Sequence, residues 1–247
     1  MDHTLTPPRV GALVQARMGS TRLPGKALLP LPLGAATTVL SHVLARAQAA
    51  ELVHTVVVAT STLPADDALA QAAQACGVAV YRGDQQDVLR RFHEAALAHR
   101  LDVVVRLTAD NPAIDPGYLD RAVTAHLAAG ADYTLSTGLP LGTNLEVFGQ
   151  QTLATAFAQA TAPEEREHVT PYLRRHPDRF RLQTLDLATA EIPASLRLTL
   201  DYPSDYALLH LLFSTLPPGF GLAAVGELLR QHPWLARIND QNTQVKV

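Results

Sequence analysis

Residues 10–26 read VGALVQARMGSTRLPGK, and this stretch decides the fold. Its first five residues are an apolar run of strand length, as in a strand buried on both faces. Gly19, Pro24 and Gly25 end the run and turn the chain into a loop. The loop carries Arg17, Arg22 and Lys26 beside Ser20 and Thr21. Glycine lets a backbone approach phosphate oxygens closely. Lys neutralises their charge, and Arg does so with paired, directional hydrogen bonds. A strand feeding such a loop suits a nucleoside triphosphate. It is not a Walker A loop, because Gly19 and Gly25 enclose five residues and Ala27 follows Lys26. No G-x-G-x-x-G follows the strand, so the dinucleotide fingerprint is absent too. A basic loop that is merely solvated is the plain alternative.

Outward from this loop, helical and strand patterns alternate. Residues 37–50 have helical apolar spacing, 55–59 form a β-branched strand, and 66–76 read as a helix with acidic residues in its first turn. A strand at 78–81, a helix at 87–99, a strand at 102–107 and a helix at 118–129 follow. This order predicts a mainly parallel sheet covered by helices on both faces. The second half is less regular. Strands are expected at 132–135, 145–148, 180–185 and 197–200. Helices are expected within 162–176, at 205–215 and at 222–231. The reading is one domain over 9–247, a frayed proline-rich start over 1–8, and an inserted arm near 136–190 where homodimer contacts can form.

The chain has 247 residues, 47% of them hydrophobic, and a formal charge of −3. The core can be sizeable, and wholesale nucleic-acid binding, which needs a basic footprint, is not expected. Cys76 is the only cysteine, which excludes an internal disulfide and a cysteine-rich zinc site. With no signal-like start and no apolar run of membrane-spanning length, the chain reads as soluble and cytoplasmic.

Ligands of open parallel sheets bind beyond the carboxyl ends of the strands. The strand at 102–107 delivers Asp110 to that edge, just before Pro112. The stretch 197–200 likewise runs into Asp201, two residues before Pro203. A carboxylate at such a place can hold magnesium, which takes one or two carboxylates plus phosphates and waters. Equally, an Asp can merely start a turn. Asp205 reads more simply as a first-turn helix residue. If both strand-end aspartates share an edge with the basic loop, the set can hold a metal against a triphosphate for phosphoryl-type transfer.

The residues Gln15-Ala16-Arg17 and Ser20-Thr21-Arg22-Leu23-Pro24-Gly25-Lys26 resemble the signature loop of cytidylyltransferases that activate acidic sugars, the acylneuraminate and 3-deoxy-manno-octulosonate group. The stretches 81–84 with 87–89, 106–112, 166–172 and 198–205 make the chain most similar to the spore-coat polysaccharide branch of that family. The resemblance implies a three-layer α/β/α nucleotide-diphospho-sugar transferase (GT-A-like) fold. It implies transfer of CMP from CTP to a sugar acid, with pyrophosphate leaving. Arg17, Arg22 and Lys26 then fall at triphosphate positions, with Gly19 and Ser20 in the same nucleotide loop. Asp110 and Asp201 fall at the Mg2+ (or Mn2+) positions. Main-chain groups around Ala12, Val14 and Ala16, together with Arg82, fall around the nucleoside. Asn144, Glu146 and His168 fall toward the sugar, with Glu146 a sugar or metal contact.

Two departures stand out. Ala109 replaces the Gly common before the metal Asp, and Asn144 stands where an acidic residue is more usual. His168 reads either as a general base, since its ordinary pKa suits proton transfer near neutrality, or as a structural or sugar-binding histidine. The competing activities are transfer from another nucleotide, a sugar or polyol phosphate acceptor, and a GT-A-type glycosyltransferase. The last usually presents Asp-x-Asp, whereas Pro112 stands two residues after Asp110.

Overall fold

The computed structural model describes residues 7–20 and 22–243, so the start at 1–6 and Thr21 lie outside the described residues. β1 (Val10–Gln15) is the third strand of a seven-stranded sheet, between β2 (Thr55–Ser61) and β4 (Val103–Thr108). Beyond β2 lies β3 (Ala79–Gly83). Beyond β4 come β6 (Glu146–Gly149), β5 (Tyr133–Thr137) and the edge strand β7 (Leu182–Asp186). All neighbours run parallel except β6, which is antiparallel to both β4 and β5.

Successive side chains on a strand point to opposite faces, and β1 feeds two cores in that way. Ala12 and Val14 pack with α1 (Val39–Gln48), α2 (Asp67–Ala75) and α4 (Pro116–Ala129). Leu13 packs on the other face with α3 (Val88–Ala98), α5 (Gln150–Gln159) and α7 (Pro171–Arg175). A strand covered on both sides must be apolar throughout, which accounts for the unbroken run in β1. Asp87 caps α3 by accepting from Arg90 N at 2.9 Å. Asp115 caps α4 by accepting from Gly117 N at 2.9 Å, with Pro116 as its first residue. A third cluster joins α8 (Pro203–Thr215) and α9 (Leu222–Gln231) to Leu31, Leu139, Leu198 and Leu200.

The second half corrects the pattern reading in three places. Residues 197–200 are not a strand. They make one parallel bridge, Arg197 with Leu141, while Leu200 N donates to the Asp110 carbonyl at 2.9 Å. Their alternation reflects burial in the third cluster, not a ladder. The helix expected within 162–176 is two short ones, α6 (Pro163–His168) and α7, broken where Val169 takes φ 70° and Pro171 follows. α5, rich in Ala, Thr and Gln, has no expected counterpart. Within 136–190, β6 and β7 join the central sheet, and β7 alternates in exposure because its successive side chains point to opposite faces, one of them toward α4. Among the described residues no helix is long and apolar enough to cross a membrane.

Candidate active site

The carboxyl ends of β1 and β4 meet because the two strands pair in parallel, ending at Gln15 beside Thr108. The contact continues past the ladder, where Ala109 N donates to the Gln15 carbonyl at 2.9 Å. The basic loop after β1 and the Thr108–Asp110 turn after β4 therefore share one edge. The leucines of 197–200 bring Asp201 to the same edge. Together these segments enclose a cleft of about 470 Å³ lined by Gln15, Ala16, Arg17, Gly19, Ser20, Arg22, Lys26, Ala27, Thr108, Ala109, Asp110 and Asp201.

The Lys26 ammonium joins the two expected carboxylates. Its Nζ lies 2.6 Å from Asp110 Oδ2, 2.8 Å from Asp201 Oδ1 and 2.8 Å from the Leu200 carbonyl. Arg22 Nη2 donates to the same Asp201 oxygen at 2.8 Å, and its guanidinium lies 5.2 Å over the Tyr202 ring. Arg197 Nη2 donates to the other Asp201 oxygen at 2.9 Å. Burial opposes the Asp201 charge, but Lys26, then Arg22 and Arg197, outweigh it and hold the carboxyl below its ordinary range. Burial likewise opposes the Lys26 charge, yet Asp110 and Asp201 raise its pKa, so the ammonium stays charged. Asp110 is oriented from its other oxygen by Thr108 Oγ1 at 2.5 Å.

The loop itself is set from below. Met18 N donates to the buried Asp66 carboxylate at 2.7 Å, and Ser61 Oγ donates to that carboxylate too. Gly25 turns the chain with φ 68°. A Cβ at Gly19 would meet no atom within 4 Å, so packing does not require glycine there. Its missing side chain leaves bare backbone facing the cleft. Arg17 reaches Glu167 at 3.3 Å, both side chains about half exposed, leaving the guanidinium open to an incoming anion.

Other expected residues lie elsewhere. Ala12 and Val14 sit inside the sheet with ladder partners on both sides, so only Gln15 and Ala16 of β1 and its exit reach the cleft. Arg82 instead ties down the turn after β2, donating to the Ser61 and Leu63 carbonyls at 2.8 and 2.9 Å and pairing with Asp67. Asn144 clamps its own loop by donating to the Leu139 carbonyl at 2.9 Å. Glu146 lies beneath the site, accepting from Arg106 at 2.5 Å, Tyr133 at 2.5 Å and Thr170 at 2.6 Å. His168 lines a second cavity of about 500 Å³ with Arg106, Asn111, Leu141, Gly142 and Thr199; Arg22, Thr108, Asp110 and Asp201 form the wall it shares with the first. Burial, helped by Arg106 and Arg17, pushes the His168 pKa down.

Comparison with known proteins supplies the family. A cytidylyltransferase family model matches residues 11–216. The chain belongs to the cytidylyltransferase family. It is 37% identical over 203 residues to the spore coat polysaccharide biosynthesis protein SpsF of Bacillus subtilis, covering 81% of this chain and 85% of that protein. It is 33% identical over 199 residues to a 3-deoxy-manno-octulosonate cytidylyltransferase of Anaeromyxobacter dehalogenans, covering 76% and 79%. A solved cytidylyltransferase structure from Leptospira borgpetersenii superposes with a TM-score of 0.85 at 31% identity, covering 97% of this chain and all of that one.

The donor set of this cytidylyltransferase fits a magnesium ion. Asp110 and Asp201 are close enough for one cation to touch both, and their oxygens are the hard donors that Mg2+ prefers. Among the described residues no group of three or more His, Cys, Asp or Glu could hold a metal. Phosphate oxygens and water would therefore complete the shell. Asp66, Ser61 and Arg197 escaped the sequence reading because their roles depend on contacts no short motif displays. The lone signal is the charge of Arg197 beside the buried leucines of 198–200; Asp66 reads only as an acidic first-turn residue of its helix.

Proposed function

We propose that this cytidylyltransferase transfers CMP from CTP to a hydroxyl of a sugar acid for surface polysaccharide synthesis. The observation that carries this reading is the convergence of Arg22, Asp110 and Asp201, from three distant segments, on the wall between two cavities, with Lys26 bridging both carboxylates from the first cavity. One cavity holds the basic loop and suits the triphosphate; the other holds His168 and Arg106 and suits the acceptor. In the reaction the acceptor hydroxyl releases its proton to solvent as its oxygen bonds to the α-phosphorus and the bond from that phosphorus to the oxygen bridging to the β-phosphate breaks. Pyrophosphate leaves with that electron pair.

Arg17, Arg22 and Lys26 would neutralise and position the phosphates, the main task of a protein in such transfers. Asp110 and Asp201 would hold Mg2+ or Mn2+, which supplies charge neutralisation and lowers the pKa of a bound hydroxyl. His168, uncharged near neutrality, can accept a hydrogen bond from an acceptor hydroxyl. A third cavity of about 560 Å³ adjoins the cleft through Arg17 and carries Asp84, Gln85, Gln86 and Asp87, groups suited to ribose hydroxyls and a base edge. The name of the octulosonate relative supports a sugar-acid acceptor and that of the spore-coat relative supports polysaccharide synthesis, and soluble substrates would place the reaction in the cytoplasm. The test is a panel of sugar acids, each with CTP, UTP, GTP or ATP and Mg2+, read as pyrophosphate. Turnover with CTP and at least one sugar acid supports the reading. Equal or faster turnover with another nucleotide, or with sugar phosphates alone, rejects it.

A further inference from the structure

We infer that the C-terminal segment around Asn239 and Asn242 is a positioning element for Asp201, acting through Arg197 and Asp205. The inference rests on the proposed role of Asp201 as metal ligand. Asp201 Oδ2 accepts from Arg197 Nη2 at 2.9 Å, which fixes how the carboxylate presents its other oxygen to Lys26 and Arg22. Arg197 is buried, and its Nε donates to Asp205 Oδ1 at 2.9 Å. Asp205 Oδ2 accepts from the main-chain N–H groups of Asp201 and Tyr202, both at 2.9 Å, which sets the backbone from which the carboxylate projects. Asp205 is thus more than a first-turn residue of α8.

This frame is closed from far along the chain. Asn239 Nδ2 donates to the Arg197 carbonyl at 3.0 Å and to Asp205 Oδ1 at 2.9 Å. Asn242 Nδ2 donates to the same Asp205 oxygen at 2.8 Å and to Ser204 Oγ at 2.8 Å. Both asparagines lie beyond residue 216, where the family model's match ends. An amide suits this place because its N–H groups satisfy Asp205 without adding charge, so Arg197 remains shared between Asp205 and Asp201. Removing the amide frees an Asp205 oxygen to draw Arg197 toward itself and loosens the Asp201 carboxylate. Partners that orient metal ligands in this way typically change metal affinity or activity by about 10–100-fold.

The test measures Mn2+ affinity by electron paramagnetic resonance with an α,β-methylene analogue of CTP. It compares wild type, Asn239→Ala, Asn242→Ala and the core variant Leu229→Ala, with Tm for each. The expected result is Mn2+ binding weakened by about tenfold or more in Asn239→Ala, weakened less in Asn242→Ala, and unchanged in Leu229→Ala despite its lower Tm. In turnover the two Asn variants should lose kcat and need more Mg2+, while KM for CTP at saturating metal stays near wild type. If Asn239→Ala fails to fold, Asn242→Ala decides. Wild-type Mn2+ affinity in the folded Asn variants, or equal weakening in Leu229→Ala, overturns the inference. A wild-type protein that binds no Mn2+ with the analogue overturns the assignment of Asp201 itself, so the two failures read differently.

Discussion

Lys26 and Asp201 stand 175 residues apart in the chain and 2.8 Å apart in space. The same ammonium lies 2.6 Å from Asp110. One cation thus gathers two carboxylates that arrive from separate segments, and those carboxylates line both the cleft and the second cavity. Asp110→Asn or Asp201→Asn keeps the shape and removes the charge. Each should lower kcat by at least about tenfold, or about 1.4 kcal/mol in barrier. Steady-state pyrophosphate release measures this, and full activity in both variants would remove the site.

Lys26→Met leaves the two carboxylates facing each other with less compensation. The expected cost is about 2 kcal/mol, below that of a fully buried pair because Asp110 is partly open to solvent. Mg2+ should then raise the Tm of Lys26→Met more than that of wild type, since the ion meets the same oxygens. Thermal melts with and without Mg2+ check this. Equal shifts in the two proteins would count against a shared cation position.

Glu146 makes a pH prediction. Burial opposes its charge, but Arg106 above all, with Thr170 and Tyr133, outweighs this and lowers the pKa from its ordinary 4.5. A carboxyl depressed in the folded state contributes stability above its unfolded pKa and loses it as pH falls through the folded one. Glu146→Gln should therefore be less stable than wild type by about 3 kcal/mol at neutral pH, as when one partner of a buried pair is removed. The gap should narrow below pH 4.5. Denaturant titrations at neutral and acid pH test it; a gap that widens in acid contradicts the assignment.

Asn144→Asp puts a carboxylate at this place, yet it should not improve acceptor use. Asn144 Nδ2 donates to the Leu139 and Pro140 carbonyls, and a carboxylate cannot. The variant should lose about 1–2 kcal/mol through the unsatisfied carbonyls. Its Tm, and a KM for the sugar acid no lower than that of wild type, are the readouts.

Much of this was legible where chemistry is local. β1, its basic loop and the Asp110 turn could be read because an apolar run, glycines and a proline mark the exit of a buried strand. Arg197–Leu200 looked like a strand because burial alone also produces apolar alternation. The motif around Arg82 points it to the nucleoside, whereas its guanidinium binds the Ser61 and Leu63 carbonyls. Asp66 and Asn239 are illegible as site residues, since each acts through a partner more than forty residues away, and Arg197 is illegible because its pairing with Asp201 depends on the fold of a segment that reads as a strand.

The central claim is that this site moves a cytidylyl group. The most direct measurement is 31P NMR of CTP incubated with the protein, Mg2+ and a reactive sugar acid. The account predicts that the α-phosphorus reappears in a sugar phosphodiester while inorganic pyrophosphate accumulates in equal amount, and that Asp201→Asn suppresses both signals. Formation of CDP with a phosphorylated sugar, or a CTP spectrum unchanged with every sugar acid tried, would contradict it.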